Sequence, residues 1–243
     1  MSQYNDKGVV LRGWRLGESD RIVVLLTAEH GKVRAVAKGV RKTKSKFGGR
    51  LELTSHVSFQ MFEGRGELGI VTQAETIDRF VNLRNDPNLF ASASAMLEVS
   101  DHFSLDQNKD IKRYEMLVGA LRTLDENPAP LVLPAFLLKV LAHEGLEPHL
   151  DLCTRCQSSG PLVSIDYNEG GVLCEKCRRG RSVTERSIAV MRSILGGGLS
   201  MALAVEDNQV CSEVESVAYD CLLYTSDAAD EGLGVDLGGR RII

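Results

Sequence analysis

Aromatic residues are scarce in this sequence, at 5% of 243 positions, and Trp14 is the single tryptophan. Any stacking surface must therefore draw on that residue and a handful of Phe and Tyr. Long apolar runs are missing as well. The most apolar segment, LVLPAFLLKVLA (131–142), is too short to cross a bilayer and carries Pro134 and Lys139. The amino terminus, MSQYNDKGVV, shows no basic region followed by an apolar stretch, so a cytoplasmic protein without membrane contact is expected. Catalytic signatures are equally sparse. His30, His56, His102, His143 and His149 are scattered, and neither H-E-x-x-H, a nucleophile motif nor G-x-x-x-x-G-K-[ST] occurs. Glu18 and Asp20 in GESD are the one acidic pair that a metal-dependent nuclease could use, but a short acidic loop reads more simply as a solvated turn.

What is present falls into two periods. The first eighty residues alternate like strands separated by turns: GVVLRGWRL (8–16), RIVVLLTA (21–28), KVRAVAKGV (32–40), LELTSHVSFQMF (51–62) and LGIVTQAETI (68–77). Five short strands suit a small closed barrel, of which the OB-fold is the commonest, with an SH3-like barrel as the alternative. The chain then becomes helical. Asp86 before Pro87 is an N-cap with proline at the first helical position. Apolar spacing continues through Leu97, through Ile111 to Leu124, and over 131–144 up to Gly145. Ser182 with Glu185, and Ser212 with Glu215, fit the capping box of two later helices, the first ending at Gly196–Gly198.

The last 23 residues, CLLYTSDAADEGLGVDLGGRRII (221–243), show neither period. Back-translated, they match a transposon-type sequencing adapter with a free index over Gly232 and Leu233. They are accordingly treated as a non-native tail, and without them the formal charge moves from −4 to −2.

Between the third and fourth helices lies CTRC (153–156), then CEKC (174–177). The spacing C-x2-C-x17-C-x2-C is that of a structural zinc site, with Cys153, Cys156, Cys174 and Cys177 closing a tetrahedron around one ion. The insert PLVSIDYNEGGVL reads as a hairpin that returns the second knuckle alongside the first. A redox C-x-x-C pair would need a βαβ setting that is absent. A catalytic zinc would need an open position, and His149 is not required as a ligand. Cys211, without a partner, reads as a small buried side chain.

The charge distribution is the other anomaly. Between Glu29 and Glu52 there is no acid but eight bases: Lys32, Arg34, Lys38, Arg41, Lys42, Lys44, Lys46 and Arg50. Within them, AKGVRKTKSKFGGR (37–50) places glycines where backbone can approach a phosphate. A solvated loop is one reading. A DNA-backbone contact is the other, favoured by the barrel context and by Phe47 as a stacking side chain. Trp14, Phe59 and Phe62 are assigned to the core, with stacking as their alternative. Arg178, Arg179 and Arg181, beside the second cysteine knuckle with Arg155 and Lys176, form a possible secondary DNA contact.

The order GVVLRGWRLGESDRIVVLLTAEHGKVRAVAKGVRKTKSKFGGRLEL, followed by QAETI, MLEVSDHF, FLLKVLAHEGLEPHLDLCTRC and GGVLCEKC, resembles the RecO family of bacterial DNA repair and recombination mediators. The resemblance covers about residues 4–220 and implies an α+β protein. It would comprise a five-stranded OB-fold barrel over 1–80, a helical domain over 81–149 and 182–220, and an inserted four-cysteine zinc ribbon-like module over 150–181. It further implies a non-enzymatic mediator that binds single- and double-stranded DNA and anneals complementary strands. Its implied partners are RecR, the carboxy-terminal tail of single-strand-binding protein and, indirectly, RecA, on the nucleoid. A zinc-ribbon module of a transcription or translation complex is the alternative.

Overall fold

The computed structural model of the chain describes residues 2–63, 66 and 68–232. Part of the turn expected after the fourth strand (64, 65 and 67) and the tail positions 233–243 lie outside the described residues. The chain divides into two compact units, Met1–Phe136 and Leu137–Ile243.

In the first unit five strands close into a barrel: β1 (Ser2–Leu16), β2 (Asp20–Thr27), β3 (Gly31–Ala37), β4 (His56–Glu63) and β5 (Gly69–Asp78). Their order around the barrel is β1-β2-β3-β5-β4, with β3 and β5 parallel and the other pairs antiparallel. This is an OB-fold, and it sets the SH3-like alternative aside. The long β1 serves twice: Ser2–Val9 pair with β4, and Gly8–Leu16 pair with β2 across an irregularity between Val10 and Arg12. Alternation sends Val23, Leu25, Val33, Ala35, Val57, Phe59, Met61 and Val71 inward to form the barrel core.

The fourth strand begins later than its sequence suggests. Residues 51–55 are turns, not strand. Thr54 adopts a positive φ of 69°, and its N–H donates to Val10 O at 3.2 Å, where β1 is irregular. Leu51 folds into the core instead of pairing along an edge.

Four helices follow: α1 (Val81–Asn85), α2 (Pro87–Phe103), α3 (Ile111–Glu126) and α4 (Val132–His143). Asp86 caps α2 by accepting from Asn88 N at 2.7 Å and Leu89 N at 3.3 Å, as its sequence promised. Helix α3 is tied to the barrel through a chain of polar groups that runs from buried His56 and Tyr114 out to the surface. His56 Nε2 lies 2.7 Å from Tyr114 OH, and His56 Nδ1 lies 2.5 Å from Asp78, which also pairs with Arg122 at 2.8 Å. Burial pushes the His56 pKa down and outweighs the pull of Asp78.

The second unit carries a three-stranded sheet in the order β7-β6-β8, made of β6 (Leu162–Asp166), β7 (Gly171–Cys174) and β8 (Arg181–Ser182). Helices α5 (Glu185–Leu195), α6 (Leu199–Leu203) and α7 (Asn208–Gly232) follow. Both expected capping boxes shift. Ser182 is consumed by pairing with Ser164, so Thr184 caps α5 and accepts from Ser187 N at 3.2 Å. Asp207 accepts from Gln209 N and Val210 N and starts α7 before Ser212. Helix α7 also continues past 220, where sequence periodicity ends. No proline occurs between 208 and 232, and Leu222, Leu223, Ala228 and Ala229 are strong helix formers.

Candidate nucleic-acid interface and metal centre

The connection between β3 and β4 (38–55) is held down by apolar anchors at intervals. Val40, Phe47 and Leu51 are buried in the barrel core, Phe47 at 1% exposure. That overturns the expectation that Phe47 stacks on bases: its ring plugs the barrel. Around these anchors Lys38, Arg41, Lys42, Lys44, Lys46 and Arg50 are all exposed.

How each cation is held differs. Arg41 Nη1 donates to Glu18 O at 3.0 Å, Lys46 Nζ to Thr72 O at 2.7 Å, and Arg50 Nη1 to Phe47 O at 3.1 Å. These acceptors are neutral carbonyls, so the charges are positioned but not cancelled. Lys38, Lys42 and Lys44 make no side-chain hydrogen bond or ion pair among the described residues, and only Lys38 and Lys42 feel the more distant charge of Asp20. Arg34 stands apart on β3, where it pairs with Asp106 at 3.1 Å, and the adjacent Lys32 pairs with Asp101 at 3.2 Å. The eight-base run thus splits into two bases ion-paired on β3 and six without an ion-pair partner on the loop among the described residues.

Asp20 ties the base of the loop. Its Oδ1 accepts from Gly39 N at 2.8 Å and Ser19 Oγ at 2.9 Å. The Gly39 N–H, then Ser19, and more weakly Lys38 and Lys42, hold this carboxyl below its usual range. The carboxylate suggested above as half of a nuclease pair is thus used to clamp the loop.

Alongside the loop lies a cleft of about 430 Å³ lined by Gly48, Gly49, Arg50, Arg79 and Arg84, with Asp78 already paired to Arg122. Arg84 donates to Leu53 O at 3.1 Å and Ser55 Oγ at 2.8 Å. Arg79 and Arg84 lie some thirty residues from the loop in sequence, and only closure of the barrel brings them to it. Trp14 is also not core: it is 46% exposed near the end of β1, whereas Phe59 is buried and Phe62 half-buried.

In the second unit the hairpin β6–β7 carries the two cysteine knuckles together. The Sγ atoms of Cys153, Cys156, Cys174 and Cys177 all lie within 4.8 Å of one another, and Cys156 and Cys174 are 3.5 Å apart. A tetrahedral zinc with Zn–S bonds of about 2.3 Å requires S···S separations of about 3.8 Å, so the four donors fit such an ion. Without an ion their acid–base states diverge. Burial pushes the Cys153 thiol up, yet N–H groups of Cys174, Cys156 and Arg155 outweigh it and hold the pKa at about 6. The Cys177 thiol, hydrogen-bonded to Cys156 and partly desolvated, is pushed up to about 12. Backbone donors favour one thiolate here, and all four would ionise together only around a bound cation.

Cys211 is buried. Around the knuckles, Arg155 and Arg179 share Glu169 at 3.5 and 3.3 Å, and Arg181 pairs with Asp220 at 2.6 Å. Arg178 donates to Ser182 Oγ at 2.7 Å. Arg155 and Arg179 thus share one carboxylate and Arg181 faces another, while Arg178 rests on a neutral hydroxyl, so this second basic group is only partly neutralised within its own unit.

Comparison with known proteins adds a consistent finding. Residues 1–80 match the family model described as Recombination protein O N terminal, and residues 84–215 match Recombination protein O C terminal. The chain is 41% identical over 221 residues to the DNA repair protein RecO of Streptomyces griseus, covering 86% of this chain and 89% of that protein. It is 42% identical over 222 residues to the Streptomyces coelicolor protein of the same name, with the same coverage. The Cutibacterium acnes counterpart is 40% identical over 207 residues, covering 81% of this chain and 84% of that protein.

Proposed function

The chain belongs to the RecO family of DNA repair proteins, and on that footing we propose that it is a non-enzymatic recombination mediator that holds DNA on its basic loop. The observation that carries this reading is the state of the loop charges. Lys38, Lys42 and Lys44 make no hydrogen bond or ion pair among the described residues, and Arg41, Lys46 and Arg50 rest on neutral carbonyls. A loop that served only solubility would not need its cations seated in fixed places.

These groups recognise phosphate without reading bases. Annealing requires that, because base edges must stay free to pair. Arg34, which lies on β3 away from the loop and pairs with Asp106, is proposed as an outlying contact, and Arg178, Arg179 and Arg181 give a weaker one on duplex flanks. With RecR, the protein would bring complementary strands together and promote RecA loading on DNA coated by single-strand-binding protein, whose tail would meet the helical domain. The domains proposed for this work are the barrel 1–80, the helical part 81–149 with 182–220, and the module 150–181. Residues 221–243 are proposed to be foreign to the native protein. Cys153, Cys156, Cys174 and Cys177 would hold one structural zinc, which supplies the cross-link that so small a ribbon lacks. The proposed setting is the cytoplasm, at the nucleoid.

Two measurements test this reading. If about six phosphates are neutralised, log affinity for single strands falls with log salt at a slope of about −4. Lys42→Glu with Lys44→Glu lowers affinity and flattens that slope while leaving thermal unfolding in place. Arg41 is a poorer choice for charge reversal, since it also ties the loop to Glu18. A salt-independent affinity would sink the loop contact. Annealing of complementary strands precoated with single-strand-binding protein, with and without RecR, tests the mediator role. No acceleration in either case refutes it.

A further inference from the structure

The barrel carries a second apolar row on its outside. Trp14 of β1 pairs directly with Ile22 of β2, Ile22 with Val36 of β3, Val36 with Ile70 of β5, and Ile70 with Phe62 of β4. Residues directly opposite share a face of the sheet. Their chain neighbours Val23, Ala35, Val71 and Met61 fill the core, so these five point outward. Trp14 is 46% exposed and the other four are partly exposed.

Two flanks define the row. On one side the outer face is covered: Val24 is 3% exposed, and Arg12 and Arg34, which pair across it, engage Asp101 and Asp106. On the other side lies the basic loop, with Arg41 seated on Glu18 O beyond the end of β1 and Lys46 on Thr72 O of β5. An apolar strip with an aromatic side chain at each end, edged along one side by uncancelled cations, matches one kind of ligand in both charge and surface. That ligand is a nucleic acid strand with its bases turned out of a duplex.

We propose that this row is a base-stacking platform, with Trp14 stacking on an unpaired base of a single DNA strand whose phosphates follow the loop 38–50. The proposal rests on the loop reading above and adds what that reading lacks, a means of telling single strands from duplex. Stacking uses the π-face of a base and leaves its pairing edge free, so it is compatible with annealing. In a duplex the bases are already stacked on each other, and only the loop contacts remain.

Trp14 is the only tryptophan, so its emission reports on this one position. The full chain is titrated with a short fluorescein-labelled oligothymidylate and with a labelled duplex of equal length. Anisotropy follows binding, and tryptophan emission follows stacking. The single strand is expected to quench Trp14 in step with anisotropy, and the duplex to bind without quenching. Trp14→Ala should lose about 5- to 150-fold in affinity for the single strand, the range for one base stack. Its duplex affinity stays within about twofold, and Trp14→Phe recovers part of the loss. Single-strand binding with unchanged emission and unchanged affinity in Trp14→Ala overturns the platform and leaves the loop reading standing. If neither DNA binds, the loop reading fails, and the platform with it.

Discussion

Replacing Phe47 by alanine separates two opposite roles for one ring. The side chain is 1% exposed and packs in the barrel core with Val40 and Leu51, the other anchors of the connection from β3 to β4. Truncating a buried phenylalanine costs about 3–5 kcal/mol, from lost transfer energy and the cavity left behind. A domain of ordinary stability has about 5–15 kcal/mol in total, so the barrel should remain folded but with much of its margin gone. The loop charges lose their central anchor as well, and DNA affinity falls because the cations must be ordered again on binding. Urea unfolding followed by circular dichroism measures the first effect, and anisotropy with labelled single strands the second. Phe47→Leu, which keeps most of the volume, should cost less than about 1.5 kcal/mol and retain binding. The reasoning is refuted if Phe47→Ala unfolds at the wild-type urea concentration yet loses binding, because the ring would then be meeting DNA.

Three further outcomes are expected. Cys174→Ser should release zinc, detected with a colorimetric chelator, and lower the melting temperature of the second unit; a variant that kept one zinc and its full melting temperature would show the four-thiolate site to be wrong. Because burial depresses the pKa of His56 below its ordinary 6.5, the unfolded chain binds more protons just below that pH. Stability from the His56–Asp78–Tyr114 chain is therefore full above about pH 6.5 and lost as pH falls toward the folded pKa, and His56→Gln should flatten that slope in urea midpoints. Gly31 has a φ of +67°, and a Cβ there would sit 2.1 Å from the Asn108 carbonyl oxygen, so Gly31→Ala should destabilise by at least about 2 kcal/mol in the same assay.

Where sequence and structure agree, the signal was local or strictly periodic. Asp86–Pro87 marks a helix start because both residues act through their own backbone neighbourhood, and the cysteine spacing constrains two knuckles whatever lies between them. Inward alternation in Val33, Ala35 and Ala37 needed only a strand. Where they part, the deciding contact is distant in sequence. Phe47 sits among cations, so its surroundings suggest solvent, and only the closed barrel offers it a cavity. Leu51–Ser55 has strand composition, but its hydrogen bonds go to the irregular part of β1. Ser182 is a sound cap by type and spacing until β6 claims it, which leaves Thr184 to cap α5. Trp14 lies in an apolar strand whose pattern suggests the inside, yet the register shift of β1 between Val10 and Arg12 puts it outside. Arg79 and Arg84 had no sequence mark at all, since nothing along the chain relates them to Gly48 and Gly49.

The carbonyl seats of Arg41, Lys46 and Arg50 bear on the timing of encounters with a polyanion. A cation locked to a carboxylate must first leave it, and that exchange would add a barrier to each arrival. Here each group keeps its full charge and has N–H groups to spare, so it can donate to an incoming phosphate without giving up its seat. Capture should accordingly be governed by diffusion and long-range attraction, and its rate constant should fall steeply with ionic strength. No rearrangement of the loop has to precede it, so on the proposed reading this protein would sample strands quickly.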